Sequence, residues 1–236
     1  MTKNIPNLLT MGNLFCGCCA LLFLYRGHWE FLPWWVAGCF FCDYTDGMVA
    51  RGLQVSSPLG KELDSLSDVV SFGIVPGSMM YVLIEKSLGG AGADVVTWAA
   101  LPAFIQSACA ALRLGKFNLD TRQTRYFLGL TTPASTLFVL GLFLTASSDH
   151  HRLTPYILQP VLLYSLIPVL CFLMLSEIPM FGMKIKSRDL KSNLTNLLFL
   201  GLLVLLILFL KFFALSVIIV IYIVASFLSR KSIENA

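Results

Sequence analysis

The chain has 236 residues, of which 57% are hydrophobic and only 13% charged, with 17 basic against 13 acidic side chains, and its mean hydropathy is +0.79. A soluble domain carries roughly 25% charged and ~45–50% apolar residues. This composition therefore excludes an ordinary soluble globular protein and predicts an all-α, polytopic transmembrane helix bundle, a single membrane domain over 1–236 with no second soluble domain.

A spanning helix needs ~20 largely apolar residues. About eight stretches meet that requirement, near 6–25, 31–51, 60–85, 94–114, 127–147, 154–176, 193–210 and 212–229. Pro6, Asn7 and Thr10 interrupt the start of the first, and no small-residue cleavage site precedes Leu24-Tyr25-Arg26, so it reads as a retained span rather than a signal peptide. Turn formers mark short loops at 54–60 and 87–92. The last two stretches are one apolar run broken only at Lys211.

The basic residues segregate. Arg26, Lys86, Arg152 and Lys211 fall on one side of such a bundle and all the others on the opposite side. Positive charge collects on the cytoplasmic face, which places both termini and the loop between the second and third spans in the cytoplasm. On the same side, 181–191 is basic with interspersed apolar residues. It reads equally as a segment held at the interface by anionic head groups or as an ordinary positive loop. Seven cysteines lie within apolar stretches without metal-site spacing and read as small buried apolar side chains. His28, His150 and His151 fall on the far side and receive no role.

The acidic residues carry the chemistry. Asp43-x2-Asp46-Gly47-x2-Ala50-Arg51 ends the second span, and after x8 comes Gly60-x3-Asp64-x3-Asp68, which opens the third. At ~100° per residue, Asp43, Asp46, Gly47, Ala50 and Arg51 share one helix face, and Gly60, Asp64, Ser67, Asp68 and Ser71 share another. Tyr44, Thr45 and Val49 point elsewhere, while Lys61 and Glu62 fall off the face as surface residues. A short turn makes the two helices antiparallel neighbours, so the acidic faces can meet. One carboxylate near the membrane core costs ~2.5–3.5 kcal/mol even on lenient scales, so four need neutralising, and hard divalent cations prefer carboxylate oxygens. Four acids at this density can hold two divalent ions that clamp a phosphoryl group. Gly47, Ala50 and Gly60 leave room for a base or pyrophosphate, and Arg51 offers a cationic fork to phosphate oxygens. Interhelical ion pairing does not account for four acids facing one arginine. A cation channel, divalent-cation transporter or proton relay would use the acids but has no need of the glycines, alanine and arginine.

This spacing resembles, without mismatch, the signature of the CDP-alcohol phosphotransferase superfamily. The continuation Glu62-Leu63-Asp64-Ser65-Leu66-Ser67-Asp68-Val69-Val70-Ser71-Phe72-Gly73-Ile74-Val75-Pro76 is most similar to its integral-membrane phosphatidylserine synthase branch. Ile5-Pro6-Asn7-Leu8-Leu9-Thr10, Arg113-Leu114-Gly115-Lys116-Phe117-Asn118 and 126–134 agree with it, so the resemblance covers about 5–191, with additional C-terminal spans beyond. Two positions depart: Gly115-Lys116 stand where the family commonly has Ala-Arg, and Thr131 stands where it has proline. The lysine keeps the charge and loses bidentate geometry.

The resemblance implies transfer of a phosphatidyl group from CDP-diacylglycerol to L-serine, giving phosphatidylserine and CMP. It implies two Mg²⁺ or Mn²⁺ ions on Asp43, Asp46, Asp64 and Asp68, and a CDP site shaped by Gly47, Ala50, Arg51 and Gly60, with Asn7 and Thr10 contributing. Asp68 would also be the general base. The serine carboxylate needs a positive partner, and Arg113 and Asn118 are the leading candidates for serine binding; topogenic charge is the competing reading for Arg113 and more so for Arg122 and Arg125. The implied partners are the lipid donor, serine and membrane lipids, with no nucleic acid and a homodimer by analogy. The implied location is a bacterial or archaeal-type cytoplasmic membrane, with the site on the cytoplasmic side. Glycerol phosphate or inositol phosphate as acceptor is the nearest alternative, and would want a denser basic pocket.

Overall fold

A computed structural model describes residues 4–55, 57–90, 96–119, 127–148, 153–180, 206 and 210–228. Helix α1 (Ile5–Tyr25) starts with Pro6 in its first turn, where a missing N–H costs nothing. The chain reverses through Gly27, at a positive φ of 76°, and a 3₁₀ turn at Trp29–Phe31, then returns as α2 (Leu32–Gly52). After a short link, Ser57 caps α3 (Pro58–Asp68) by accepting the Gly60 N–H at 2.9 Å. Helix α3 runs through a π-helical stretch, Val69–Ile74, into α4 (Val75–Ser87), making one helix over Pro58–Ser87.

Helix α4 is the central stave. Every residue from Val75 to Ile84 is buried, and α1, α5, α6 and α8 pack around it. Helix α5 (Phe104–Leu119) follows a 3₁₀ stretch at Trp98–Ala103. Helix α6 (Thr132–Ser147) is capped by Thr131, with Pro133 in its first turn. The short α7 (Thr154–Ile157) precedes α8 (Pro160–Leu175). Helix α9 (Phe213–Leu228) packs on α6, where the Ser216 hydroxyl donates to the Phe138 carbonyl at 2.8 Å. Strands β1 (Phe127–Leu128) and β2 (Pro179–Met180) form a two-residue antiparallel bridge, pairing Phe127 with Met180 and Leu128 with Pro179.

The described residues are all-α apart from that bridge. Among the described residues two helices, Ile5–Tyr25 and Pro58–Ser87, are long and apolar enough to cross a bilayer, and Thr132–Ser147, Pro160–Leu175 and Phe213–Leu228 are shorter apolar helices. Large apolar side chains such as Leu8, Trp34, Phe41, Val161 and Phe172 point outward. Exposed apolar surface on this scale marks contact with something other than water.

Several expected boundaries move, for local reasons. The 94–114 stretch becomes a 3₁₀ segment containing Pro102 and then a helix that runs on to Leu119, because a proline deletes the N–H that an α-helical interior requires. The expected 127–147 helix starts five residues late. Gly129 sits at φ 70°, and a Cβ there would lie 2.7 Å from the Met174 carbonyl oxygen, so the chain turns before the cap at Thr131. The 154–176 stretch breaks ahead of Pro160, whose ring disfavours helical backbone at Gln159. All seven cysteines are free as expected, yet only Cys39 and Cys171 are fully buried and Cys18 is exposed; its position on α1 faces outward, where an apolar thiol suits an apolar surroundings. The basic segment at 181–191, Arg122, Arg125, His150 and His151 lie outside the described residues, as does nearly all of 193–210.

Candidate active site

The last turns of α2 and the whole of α3 carry the acids. Ligand oxygens of Asp43, Asp64 and Asp68 lie within 4.8 Å of one another. At that separation each like-charged pair costs ~3–4 kcal/mol at an effective dielectric of ~20. Among the described residues no salt bridge reaches this triad, the one ion pair being His28 with Glu30 at the other end of α1. Three hard oxygen donors converging with no described cation in direct contact are the donor set a divalent cation prefers, so the residues present fit such an ion.

Asp46 stands outside this triad and is held from α1. The Thr10 hydroxyl lies 2.6 Å from its Oδ2 and 3.1 Å from the Pro6 carbonyl. One proton cannot serve both well, and the shorter, charge-assisted contact to the carboxylate is the stronger. Beside Asp46 opens a cavity of about 210 Å³ lined by Pro6, Asn7, Thr10, Asp46, Gly47, Ala50, Val55, Ser57, Gly60, Lys61 and Asp64.

Gly60 is the tighter of the two glycines in that wall. A Cβ on Gly60 would sit 3.0 Å from both the Asn7 Oδ1 and the Ser57 Oγ, and one on Gly47 would sit 3.4 Å from the Arg51 Nη1. A side chain at Gly60 would thus displace the Asn7 and Ser57 side chains, whereas at Gly47 a Cβ meets only the movable end of Arg51. The π-helical stretch begins directly after Asp68. Two of its carbonyls find partners on neighbouring helices: Ser107 donates to Gly73 at 2.8 Å and Thr136 to Phe72 at 3.3 Å.

The structure thus gathers Asn7, Thr10, Asp46, Gly47, Ala50, Gly60 and Asp64 around one cavity and joins Asp43, Asp64 and Asp68 in one cluster. Arg51 is exposed and does not line the cavity. Arg113 is only 7% exposed and senses the charge of Asp68 across the bundle, and its Nε finds no hydrogen-bond partner. Asn118 is further out: its side-chain amide donates to the Ser65 hydroxyl at 2.7 Å and its backbone carbonyl accepts from the Lys61 ammonium at 2.8 Å.

Lys61 is exposed, as expected of a surface residue, and its side chain also lines the cavity and ties α3 to α5. Near a helix start, a long flexible side chain reaches a neighbour that the face of its Cα does not predict. The sequence reading also missed Asn13. Fully buried on α1, it donates to Asp68 Oδ1 at 3.1 Å and to Ser67 at 3.3 Å, while its own Oδ1 has no partner. The available signal was one amide inside an apolar run, one turn beyond Thr10 on the same helix face.

Comparison with known proteins places the chain. The CDP-alcohol phosphatidyltransferase family profile matches residues 3–175, and the chain belongs to that family. Within it, the chain is 33% identical over 141 residues to the CDP-diacylglycerol–serine O-phosphatidyltransferase of Bacillus subtilis, covering 60% of this chain and 76% of the relative. The enzyme of the same name from Helicobacter pylori is 30% identical over 199 residues, 84% of this chain and 80% of the relative. The Methanocaldococcus jannaschii counterpart is 39% identical over 99 residues, 42% of this chain and 43% of its own.

Proposed function

We propose that this chain transfers a phosphatidyl group from CDP-diacylglycerol to L-serine, releasing CMP. The observation that carries the reading is the meeting of Asp43, Asp64 and Asp68, drawn from two helices, beside a cavity walled by small residues. Family membership and the names of the relatives support the same reading.

Asp43, Asp64 and Asp68, with Asp46 alongside, would hold two divalent cations, Mg²⁺ or Mn²⁺. Such ions would supply neutralisation of the carboxylates and of the negative charge that develops on the pyrophosphate and on CMP. The cavity takes the CDP portion: Gly47, Ala50 and Gly60 let it approach the backbone, Asn7 and Thr10 offer polar partners in the wall, and Arg51, exposed beside Gly47 outside that wall, would have to swing inward to reach a phosphate. The serine hydroxyl oxygen bonds to the phosphorus that bears the diacylglycerol. The bond from that phosphorus to CMP breaks, and Asp68 accepts the hydroxyl proton. Asn13 holds Asp68 in place through its amide. Arg113, a buried guanidinium with an unpartnered N–H, pairs with the serine carboxylate, and Asn118 sits at the edge of the same region. Arg113 is the one buried cation among the described residues, which suits a carboxylate acceptor; a phosphate-bearing alcohol would call for a denser basic pocket.

A multi-pass arrangement of about eight spans with the aspartates at the cytoplasmic end suits these reactants, because the donor keeps its acyl chains in the bilayer while serine and CMP are water-soluble. The segregated basic residues and the outward apolar side chains support it. The test is purified protein with CDP-diacylglycerol, Mg²⁺ or Mn²⁺, and labelled serine, glycerol phosphate or inositol phosphate in separate reactions. Labelled phosphatidylserine and CMP in the serine reaction alone are expected. Product from a phosphate-bearing alcohol instead, or divalent-ion flux in liposomes with no response to CDP-diacylglycerol, would overturn the assignment.

A further inference from the structure

A second, larger cavity of about 670 Å³ lies at the far end of the bundle, where α1 ends and α4 meets the 3₁₀ segment before α5. Helix α1 has 21 residues and so spans ~30 Å, about the thickness of the hydrocarbon core. The cavity therefore opens at the membrane boundary opposite the aspartates. None of the residues around it enters the transfer chemistry.

Its wall joins two kinds of surface. Arg26 and Lys86 line it, as do Leu101 and Phe104. Among the described residues neither cation forms an ion pair. Lys86 is fixed instead by an aromatic face, its Nζ 3.5 Å from the centre of the Trp29 ring, and that ring is pinned by its own N–H to the Leu24 carbonyl at 3.1 Å. Glu85, the one acid among the described residues of the wall, accepts a hydrogen bond from Thr97 at 2.9 Å. Among the described residues two cations therefore outnumber one occupied carboxylate, over an apolar floor, at a bilayer boundary. Basic pockets between membrane helices bind anionic head groups, and the volume falls in the usual ligand range of ~300–1,000 Å³.

We propose that this cavity binds the phosphodiester head group of an anionic phospholipid from the leaflet opposite the aspartates, with the start of one acyl chain against Leu101 and Phe104. The proposal rests on the membrane-embedded reading of the chain. It is tested by native mass spectrometry of the full chain in detergent with phosphatidylglycerol or, separately, phosphatidylcholine of matched chains. Losing charge-assisted hydrogen bonds to both cations reduces affinity at least about tenfold. Retention of phosphatidylglycerol over phosphatidylcholine is therefore expected, falling about tenfold in the R26Q/K86Q double variant and restored in R26K/K86R. Both variants should keep the wild-type rate of CMP release, which also verifies that they fold. Equal retention by R26Q/K86Q and wild type overturns the proposal, as does equal retention of the two lipids. Displacement of phosphatidylglycerol by millimolar inorganic phosphate would assign the site to a free anion instead, and overturns the lipid as its occupant. Absence of turnover with every acceptor in the wild-type chain refutes the transferase reading, a result separate from the lipid count.

Discussion

The two halves of the Pro58–Ser87 helix do opposite work. Its first half, α3, carries Asp64, Asp68 and part of a polar cavity wall and leaves Leu59, Lys61, Glu62 and Leu66 exposed. Its second half, α4, is buried from Val75 through Ile84 with helices on all sides. A carboxylate cluster needs access to ligands and cannot be close-packed, so its precision has to come from elsewhere. In this molecule it comes from the packed half, through the π-helical stretch that Ser107 and Thr136 hold by hydrogen bonds. Substitutions in the first half should therefore cost turnover, and those in the second half stability.

The sharpest break is Asp68→Asn. Removing a general base that is also a cation ligand should lower CMP release by at least ~10³-fold, without lowering the thermal midpoint of the metal-free protein, because the change also relieves repulsion within the triad. A chelator should abolish release in the wild type, and Mg²⁺ or Mn²⁺ should restore it. Substantial turnover by purified Asp68→Asn protein would remove the first half's chemical role. Next comes Asn13→Ala. Groups that orient such ligands are typically worth ~10–100-fold, so kcat should fall by that factor while KM for donor and for serine stays put. A loss of thermal stability with kcat intact would make Asn13 a packing residue only.

Arg113→Ala should raise KM for serine about tenfold, the scale of one charge-assisted hydrogen bond, and raise KM for CDP-diacylglycerol less. An equal rise in both would count against its pairing with the serine carboxylate. The smallest effects belong to the packed half. A Cβ on Gly77 would run into the Ser107 hydroxyl, so Gly77→Val should cost ~1–3 kcal/mol by overpacking. Ser107→Ala, which removes one hydrogen bond to Gly73, should cost ~0.5–1.5 kcal/mol. Both are read as a lowered thermal midpoint with CMP release per folded molecule retained. A drop in turnover as large as that of Asn13→Ala would erase the division of labour.

Much of this was legible in the residues themselves. The acids recur at i, i+3 or i, i+4 on two helices joined by a short turn, so geometry alone brought Asp43, Asp64 and Asp68 together, and the apolar runs marked the helices. What stayed hidden depends on neighbours. Asn13 is one amide in an apolar helix, and nothing in its own segment tells that it faces Asp68. The π-helical stretch leaves no periodic trace, because its carbonyl partners, Ser107 and Thr136, lie far along the chain. Asp46 shares a face with Asp43 yet is drawn aside by Thr10, a hydrogen bond from a third helix that two-helix geometry cannot foresee. Helix starts at 98–104, 132 and 160 moved because single prolines and Gly129 outweigh hydropathy at the ends of segments.

The wide turn at Val69–Ile74 also sets an angular phase. A π insertion adds one residue to a helix that otherwise advances ~100° per residue, so everything before it is rotated by about that much relative to everything after. Asp64 and Asp68 look toward α1 and α2 because of that offset, while the same rod shows its apolar side to the rest of the bundle. Deleting a single residue there would restore a regular spiral and swing both carboxylates out of register with Asp43, silencing the protein with every ligand residue still present.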